Sequence, residues 1–305
     1  MTMLKVFIST SSFGEYDASP LKFLEDAGIG VQLNPHKRKL TPEECLRLYK
    51  DIDGLIAGTE TLTAEVLKSA KKLKVISRCG VGVDNIDMNI AKKLGISVFT
   101  TPYAPTQAVA ELTVGLMLAL LRHVPAADRD IRAGKWQKRM GNLLQGKNVG
   151  IIGFGRIGQK VAELALGFGA KIMYCDPAVN RTDYTRMSLD NLLSQADIVS
   201  LHLSGGGNDA PLLRDRELRS MKQGSRLINC ARGGLVDEEA LGQVLKEGWL
   251  SGAGLDVFGQ EPYTGPLAKL DNVILTPHIG SYAVESRVDM EVQAAKNLIK
   301  GLKSA

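Results

Sequence analysis

The stretch Val149-Gly150-Ile151-Ile152-Gly153-Phe154-Gly155-Arg156-Ile157-Gly158 decides how the rest of the chain is read. A short apolar run enters G-x-G-x-x-G, and Lys160 to Phe168 continues with helical spacing. A strand that ends in this loop and opens a helix is the context that makes the motif specific for a dinucleotide. The glycines allow a tight turn and let a pyrophosphate approach backbone amides at the positive end of the helix. The competing reading is an ordinary strand-turn-helix connection. The next strand ends at Asp176, where a carboxylate accepts hydrogen bonds from the adenosine ribose and repels a 2′-phosphate. The alternative is that Asp176 only begins the Asp176-Pro177 turn. Position favours the ribose, so the expected cofactor is NAD, with Arg181 partly offsetting the preference over NADP.

Downstream, strands are expected at Ile172 to Cys175, Ile198 to Leu203, Arg226 to Asn229, Ala253 to Val257 and Val273 to Leu275. With the first they make six, the content of a doubly wound dinucleotide-binding domain. Upstream, Lys5 to Ser9, Val31 to Leu33, Gly54 to Ala57, Val75 to Ser77 and Val98 to Thr100 alternate with helical segments and predict a second parallel α/β sheet. Between the two, Thr106 is placed to cap a helix from Ala108 to Leu121 that Pro125 ends. Being apolar on nearly every side, this helix is expected against a second domain or subunit. The tract from Ala126 to Lys147 is more polar, with Gly134, Lys135 and Trp136 marking a loop, and one last helix follows Ser281.

Composition agrees with a two-domain globular chain: 305 residues, 44% apolar and 23% charged. The Ala108 to Leu121 run contains Glu111 and falls short of the roughly 20 residues of a membrane span, and Met1 to Ser9 lacks a signal-peptide pattern. No membrane association and a cytosolic location are expected. The cysteines at 45, 79, 175 and 230 form no C-x-x-C pair and are expected as reduced, buried thiols, with no metal site. The net charge of +5 comes from short basic clusters that read as solvated faces, so no nucleic-acid partner is expected.

Arg232, Glu261 and His278 each follow a strand of the second sheet. In a parallel sheet all carboxyl ends share one edge with the glycine loop, so the three can converge beside the cofactor. A guanidinium binds a carboxylate or keto oxygen in a fork, a histidine carries the alcohol proton, and a glutamate orients the imidazole. That set suits hydride transfer between NAD and a 2-hydroxy acid. Taken singly, the competing readings are a surface ion-pair partner, a turn cap before Pro262 and a packed loop histidine.

The glycine loop, Asn229-Cys230-Ala231-Arg232-Gly233-Gly234, Leu255-Asp256-Val257-Phe258-Gly259-Gln260-Glu261-Pro262 and Thr276-Pro277-His278-Ile279-Gly280 together resemble the D-isomer-specific 2-hydroxyacid dehydrogenases. Gly80-Val81-Gly82-Val83-Asp84-Asn85-Ile86-Asp87 and Ala110-Glu111-Leu112-Thr113 resemble the phosphoglycerate dehydrogenase branch. The resemblance implies two doubly wound parallel-sheet α/β domains. One is a flavodoxin-like substrate domain of residues 1–100 plus 282–305, and the other a Rossmann NAD-binding domain of residues 101–281. It further implies a homodimer through the NAD-binding domains and a small anionic 2-hydroxy or 2-oxo acid as substrate. Arg232 would bind substrate, with His278 as acid/base and Glu261 as its partner. Gly153, Gly155, Arg156, Ile157 and Gly158 would meet the pyrophosphate and Asp176 the ribose. Cys230 and Asp256 would lie near the nicotinamide, and Leu203, Ala231, Gly280 and Ser281 complete the cofactor set. The amides of Val81 and Gly82 would hold the substrate carboxylate, with Arg78 beside them.

Two departures stand out. Where human-type phosphoglycerate dehydrogenases place an arginine, Gly54-Leu55-Ile56 is followed by Ala57-Gly58-Thr59-Glu60, although Arg78, Lys138 or Arg139 can compensate. The usual Pro-Leu-Thr loop is replaced by Leu203-Ser204-Gly205-Gly206-Gly207. No regulatory domain is expected beyond residue 305. The motif match outweighs the missing arginine, and the expected reaction is oxidation of D-3-phosphoglycerate to 3-phosphohydroxypyruvate. The alternatives are another small D-2-hydroxy acid or, from a different class, an NAD-binding corepressor. Formate is disfavoured by Glu261-Pro262, since that branch carries Gln-Pro.

Overall fold

Five apolar runs at the start of the chain become β1 (Lys5–Ile8), β2 (Gly30–Leu33), β3 (Gly54–Ala57), β4 (Val75–Arg78) and β5 (Ser97–Phe99). They pair in parallel in the order β2-β1-β3-β4-β5. Side chains alternate across the sheet. Phe7, Leu55 and Ile76 pack with α2 (Pro42–Leu48), α3 (Ala64–Ser69) and α4 (Met88–Lys93), while Val6, Ile8, Ile56 and Val75 pack on the face shared with α1 (Ser19–Asp26). Local caps start the helices: Thr41 and Glu44 form a reciprocal capping box at α2, and Asp87 accepts from the Ile90 amide at α4.

The structure, a computed structural model, describes residues 4–181, 183–205 and 210–304. They divide into two compact units, residues 1–105 with 281–305, and residues 106–280. The second unit starts with α5 (Thr106–Arg122) and α6 (Val124–Arg132), followed by β6 (Asn148–Ile152), α7 (Arg156–Gly167), β7 (Lys171–Cys175), β8 (Thr185–Arg186) and α8 (Leu189–Gln195). Then come β9 (Ile198–Leu201), α9 (Asp215–Ser220), β10 (Arg226–Asn229), α10 (Glu238–Lys246), β11 (Gly252–Leu255) and β12 (Val273–Leu275). The parallel sheet runs β12-β11-β10-β9-β6-β7-β8. Its strand order reverses between β6 and β9, which opens a crevice at their carboxyl ends, the usual ligand site of such sheets. One face packs on α5 and α7 through Val149, Ile151, Ile198 and Ile228, and the other on α8, α9 and α10 through Val199, Leu201, Leu227 and Ala253. The chain then returns to the first unit as α11 (Val284–Ser304), whose Met290, Ala294 and Leu298 cover Val6, Ile56 and Val75.

Four expectations are corrected. Helix α5 is buried by α7 and the sheet of its own unit, where Val109, Leu116, Met117 and Leu121 pack with Val161, Ala165 and Ile228. Thr106 is its first helical residue rather than its cap, and the buried Thr106 hydroxyl has no partner among the described residues. Pro125 does not end α5: the break is His123 in the left-handed conformation at φ 54°, and Pro125 sits in the first turn of α6, where its missing N–H costs nothing. The polar tract is helical to Arg132, and Gly134, Lys135 and Trp136 follow in the expected loop. The second sheet also has seven strands, the two-residue β8 being too short to leave a pattern. Among the described residues, no single helix is long and apolar enough to cross a membrane.

Candidate active site

Each glycine of the loop after β6 does a separate task. Gly153 has φ +89°, and a Cβ there would lie 2.5 Å from the His202 carbonyl oxygen, so the turn can pass the end of β9 only without a side chain. A Cβ at Gly158 would lie 2.2 Å from the Gly153 carbonyl oxygen, and this closeness seats α7 on its strand. Gly155 faces open space and, with Arg156, lies exposed at the start of the helix, while Ile157 is half-buried. The loop thus offers backbone amides and room above them, the fit a pyrophosphate requires.

Asp176, one residue past β7, accepts from the Phe154 amide at 2.7 Å through Oδ2 and from the Ala178 and Val179 amides at 2.8 and 2.9 Å through Oδ1. It therefore organises its own turn and ties that turn to the glycine loop. Burial pushes its carboxyl up, but the three amides and the charge of Arg186 outweigh burial and hold it below its usual value. Two amides fill Oδ1, and Oδ2 keeps a lone pair for a ribose hydroxyl. Arg181, expected to offset this charge, is engaged by Asp183.

Between these elements lies a residue that sequence reasoning missed. His202 follows β9, where its Nε2 meets Ser200 Oγ at 2.8 Å and its buried Nδ1 has no partner among the described residues. Burial pushes its imidazole down to about 3. A strand was expected through Leu203, which hid the histidine as one more strand residue. Leu203 itself leans on the glycine loop, its Cδ2 lying 2.8 Å from where a Cβ on Gly153 would stand. Of the loop beyond it, Gly206 and Gly207 lie outside the described residues.

The loops after β10, β11 and β12 carry the three reactive candidates. Asn229 shapes the first loop, its side chain accepting from the Ala231 amide at 3.1 Å and donating to the Arg232 carbonyl at 3.0 Å. Arg232 donates to the Ala231 carbonyl at 2.7 Å and is half-buried. Cys230 and Ala231 are buried beneath it, and burial pushes the Cys230 thiol up to about 12. Of the four cysteines only Cys175 is half-exposed, against the expectation that all are buried. A Cβ on Gly233 would lie 1.8 Å from the Phe258 carbonyl oxygen, so glycine there brings the Arg232 loop against the Glu261 loop.

His278 has φ 55°, and its Nδ1 meets Glu261 Oε2 at 2.9 Å and Oε1 at 3.1 Å. Glu261 is itself fixed by the Phe258 amide at 3.1 Å. With Nδ1 held by the carboxylate, Nε2 is the atom left to exchange a proton, and the imidazole is 51% exposed. Asp256 sets the backbone beneath it. Only 1% exposed, its carboxylate accepts from Thr276 Oγ1 at 2.6 Å and from the Ile279 and Gly280 amides at 2.8 Å. Asp256 is therefore engaged in holding the His278 loop. After Gly280, Ser281 begins the return to the first unit.

In the first unit, Arg78 ends β4 and curls back so that Nη1 donates to the Cys79 carbonyl. Gly80 donates to Thr101 Oγ1 at 2.8 Å, and the following amides, those of Val81 and Gly82, have no acceptor among the described residues. Two such adjacent amides in a loop form an anion-binding concavity. Arg139, a proposed substitute for the missing arginine, is engaged by Asp130 at 2.8 Å.

A glycine loop at the reversal of a parallel sheet, an aspartate after the next strand and a glutamate-held histidine along the same edge define a dinucleotide-dependent oxidoreductase. Comparison with known proteins agrees. Residues 114–280 match the model of the D-isomer specific 2-hydroxyacid dehydrogenase NAD binding domain. The chain is 39% identical to a hydroxypyruvate reductase of Thermotoga maritima, over 89% of this chain and 92% of that one. It is 40% identical to a glyoxylate reductase of Pyrococcus horikoshii, over 97% and 92%. It is 41% identical to a D-3-phosphoglycerate dehydrogenase of Methanocaldococcus jannaschii, over 93% of this chain but 55% of that one. Among solved structures, the TT0316 protein of Thermus thermophilus superposes with TM-score 0.90 at 38% identity, covering 99% and 97% of the two chains. The D-lactate dehydrogenase of Aquifex aeolicus, solved with NAD and lactic acid, gives 0.82 at 29% identity over 96% and 93%. An acyclic imino acid reductase solved with NADPH and D-Arg gives 0.86 at 28% over 99% and 96%. The chain belongs to the D-isomer specific 2-hydroxyacid dehydrogenases and uses NAD.

Proposed function

We propose that the protein interconverts glyoxylate or hydroxypyruvate and the corresponding 2-hydroxy acid, with residues 106–280 holding NAD and the other unit recognising the acid. The observation that carries this reading is the end of β3. Where a phosphate-binding arginine would stand there is Gly58, whose amide donates to Ser9 Oγ at 2.8 Å and to Glu60 Oε2 at 3.0 Å. Glu60 is 2% exposed and also accepts from Ser9 Oγ at 2.6 Å and Tyr49 OH at 3.1 Å. A carboxylate fixed there disfavours a second negative charge on the substrate, and the names of most relatives reported above point the same way.

A second reading, oxidation of D-3-phosphoglycerate to 3-phosphohydroxypyruvate, is favoured by the Gly80 to Asp87 and Ala110 to Thr113 segments and by Arg78. Spectrophotometric assay of glyoxylate and hydroxypyruvate with NADH, and of D-glycerate and 3-phosphoglycerate with NAD, separates the two. Higher kcat/KM for the phosphorylated acid than for glycerate overturns the first reading.

When bound by residues 106–280, NAD would supply the acceptor, and NADH the donor, of the hydride exchanged with the substrate C2. Arg232 holds the carboxylate and polarises the C2 oxygen. His278 Nε2 takes the hydroxyl proton in oxidation and returns it in reduction, while Glu261 keeps the imidazole in the tautomer and orientation this needs. Asp256 acts by fixing the loop. A homodimer through the NAD-binding unit is supported by the exposed apolar side chains that follow α5: Val124, Ile131, Trp136, Met140 and Leu143 are 54% to 94% exposed.

A further inference from the structure

Arg181 and Arg186 flank the Asp176 turn, and the structure gives them different work. The Nε and Nη2 of Arg181 form a fork on Asp183 at 2.9 and 2.6 Å, and its Nη1 donates to Gln159 at 3.0 Å. That guanidinium is neutralised and committed. Arg186 stands on β8, opposite Tyr174 of β7 in the parallel register. Its Nη2 donates to the backbone carbonyls of Asp176 at 2.9 Å and Pro177 at 3.0 Å. It makes no ion pair among the described residues, and its other guanidinium nitrogens keep their donors for a partner. An uncompensated cation therefore grips the backbone of the very turn whose carboxylate faces the ribose.

We propose that Arg186 is the specificity-determining partner of Asp176 at the adenosine 2′ position. With Asp176 present, Arg186 positions that carboxylate for the ribose diol. With the carboxylate removed, Arg186 receives a 2′-phosphate. A carboxylate repels a dianion as strongly as a guanidinium attracts it at similar range, so the native pair leaves NAD preferred, and the balance reverses when one charge is lost. This fold binds both cofactors, as the neighbours solved with NAD and with NADPH illustrate. The inference rests on the assignment of Asp176 to the ribose.

The test is calorimetric titration of the full chain with 2′,5′-ADP and with 5′-AMP, alongside thermal melting to verify folding. Asp176→Ser, with Asp176→Asn as a second variant that keeps an acceptor for the Phe154 amide, should move the affinity ratio toward 2′,5′-ADP by about ten- to a hundredfold, the range of one charge-assisted contact. Adding Arg186→Ala should abolish that gain, Arg186→Lys should retain part of it, and Arg181→Ala should leave it within about threefold. Equal losses for both nucleotides on adding Arg186→Ala would show a turn support without selectivity and overturn the proposal, as would loss of the gain with Arg181→Ala instead. If neither Asp176 variant moves the ratio, the ribose assignment itself fails and takes the proposal with it.

Discussion

Two histidines on one sheet edge show how surroundings divide labour among identical side chains. His278 is half-exposed with its Nδ1 on a carboxylate, whereas His202 is enclosed beside the glycine loop with its Nε2 on a serine hydroxyl. His278→Ala should lower kcat by about two to four orders of magnitude, the contribution of a positioned acid/base group, while NAD affinity measured by fluorescence titration stays nearly intact. For His202 the expected signature is stability. Its folded value near 3 lies below the ordinary 6.5, so between these values the unfolded chain takes a proton that the folded chain refuses. Stability contributed by the neutral ring is complete above about pH 6.5 and falls as the medium is acidified, by about 2 kcal/mol at pH 5. His202→Gln should flatten the slope of unfolding free energy against pH in that window; an unchanged slope would remove the role given to the ring.

At the scale of elements, charge and capping decide where helices begin. Glu44 closes the capping box of α2 and accepts a fork from Arg38 at 2.9 and 2.6 Å. The Arg38 guanidinium, with the Thr41 amide, draws its carboxyl from 4.5 down to about 2. The group is stabilising above its ordinary value, and the effect is lost as pH falls toward 2. The difference in Tm between wild type and Glu44→Gln should be constant above about pH 5.5 and vanish near pH 2. Such caps, the glycine loop and the long strands were legible because their signals are local in sequence. The register of β8, the helix α6 and the carboxyl ends of β9 and β11 were not. Apolar character continues past β9 and β11, and only tertiary hydrogen bonds, such as those of Asp256 to Thr276 and Gly280, show where the sheet stops.

Across the whole molecule, the exposed tract after α5 is the feature that the fold of one chain leaves unexplained. Trp136 and Met140 are 85% and 94% exposed. If that tract is a homodimer contact, Trp136→Glu together with Met140→Lys should shift the species seen by analytical ultracentrifugation toward monomer, with little change in helix content. An unchanged mass would dissociate the tract from assembly. The candidate site was largely readable at this scale because its residues follow strands of one parallel sheet, so strand order alone places Arg232, Glu261 and His278 on one edge. What sequence left hidden were the supports: Asn229 beneath Arg232, Asp256 beneath His278, and Arg186 on a strand of two residues. Asp256 and Arg186 act through backbone groups well separated from them in the chain, a pairing no local pattern encodes, whereas Asn229 shapes its own loop.

The discontinuous first unit has a consequence for how the chain is made. Its sheet is complete by residue 99, yet the cover over the face bearing Val6, Ile56 and Val75 combines α1 with Met290, Ala294 and Leu298 of α11, which follow the whole of the second unit. On a ribosome that face waits, apolar and only partly covered, through the synthesis of more than half the polypeptide, while the contiguous 106–280 segment holds everything its own core requires. The second unit should therefore become protease-resistant first in stalled nascent chains. Protection of the first should arrive in a single late step, when α11 emerges from the exit tunnel.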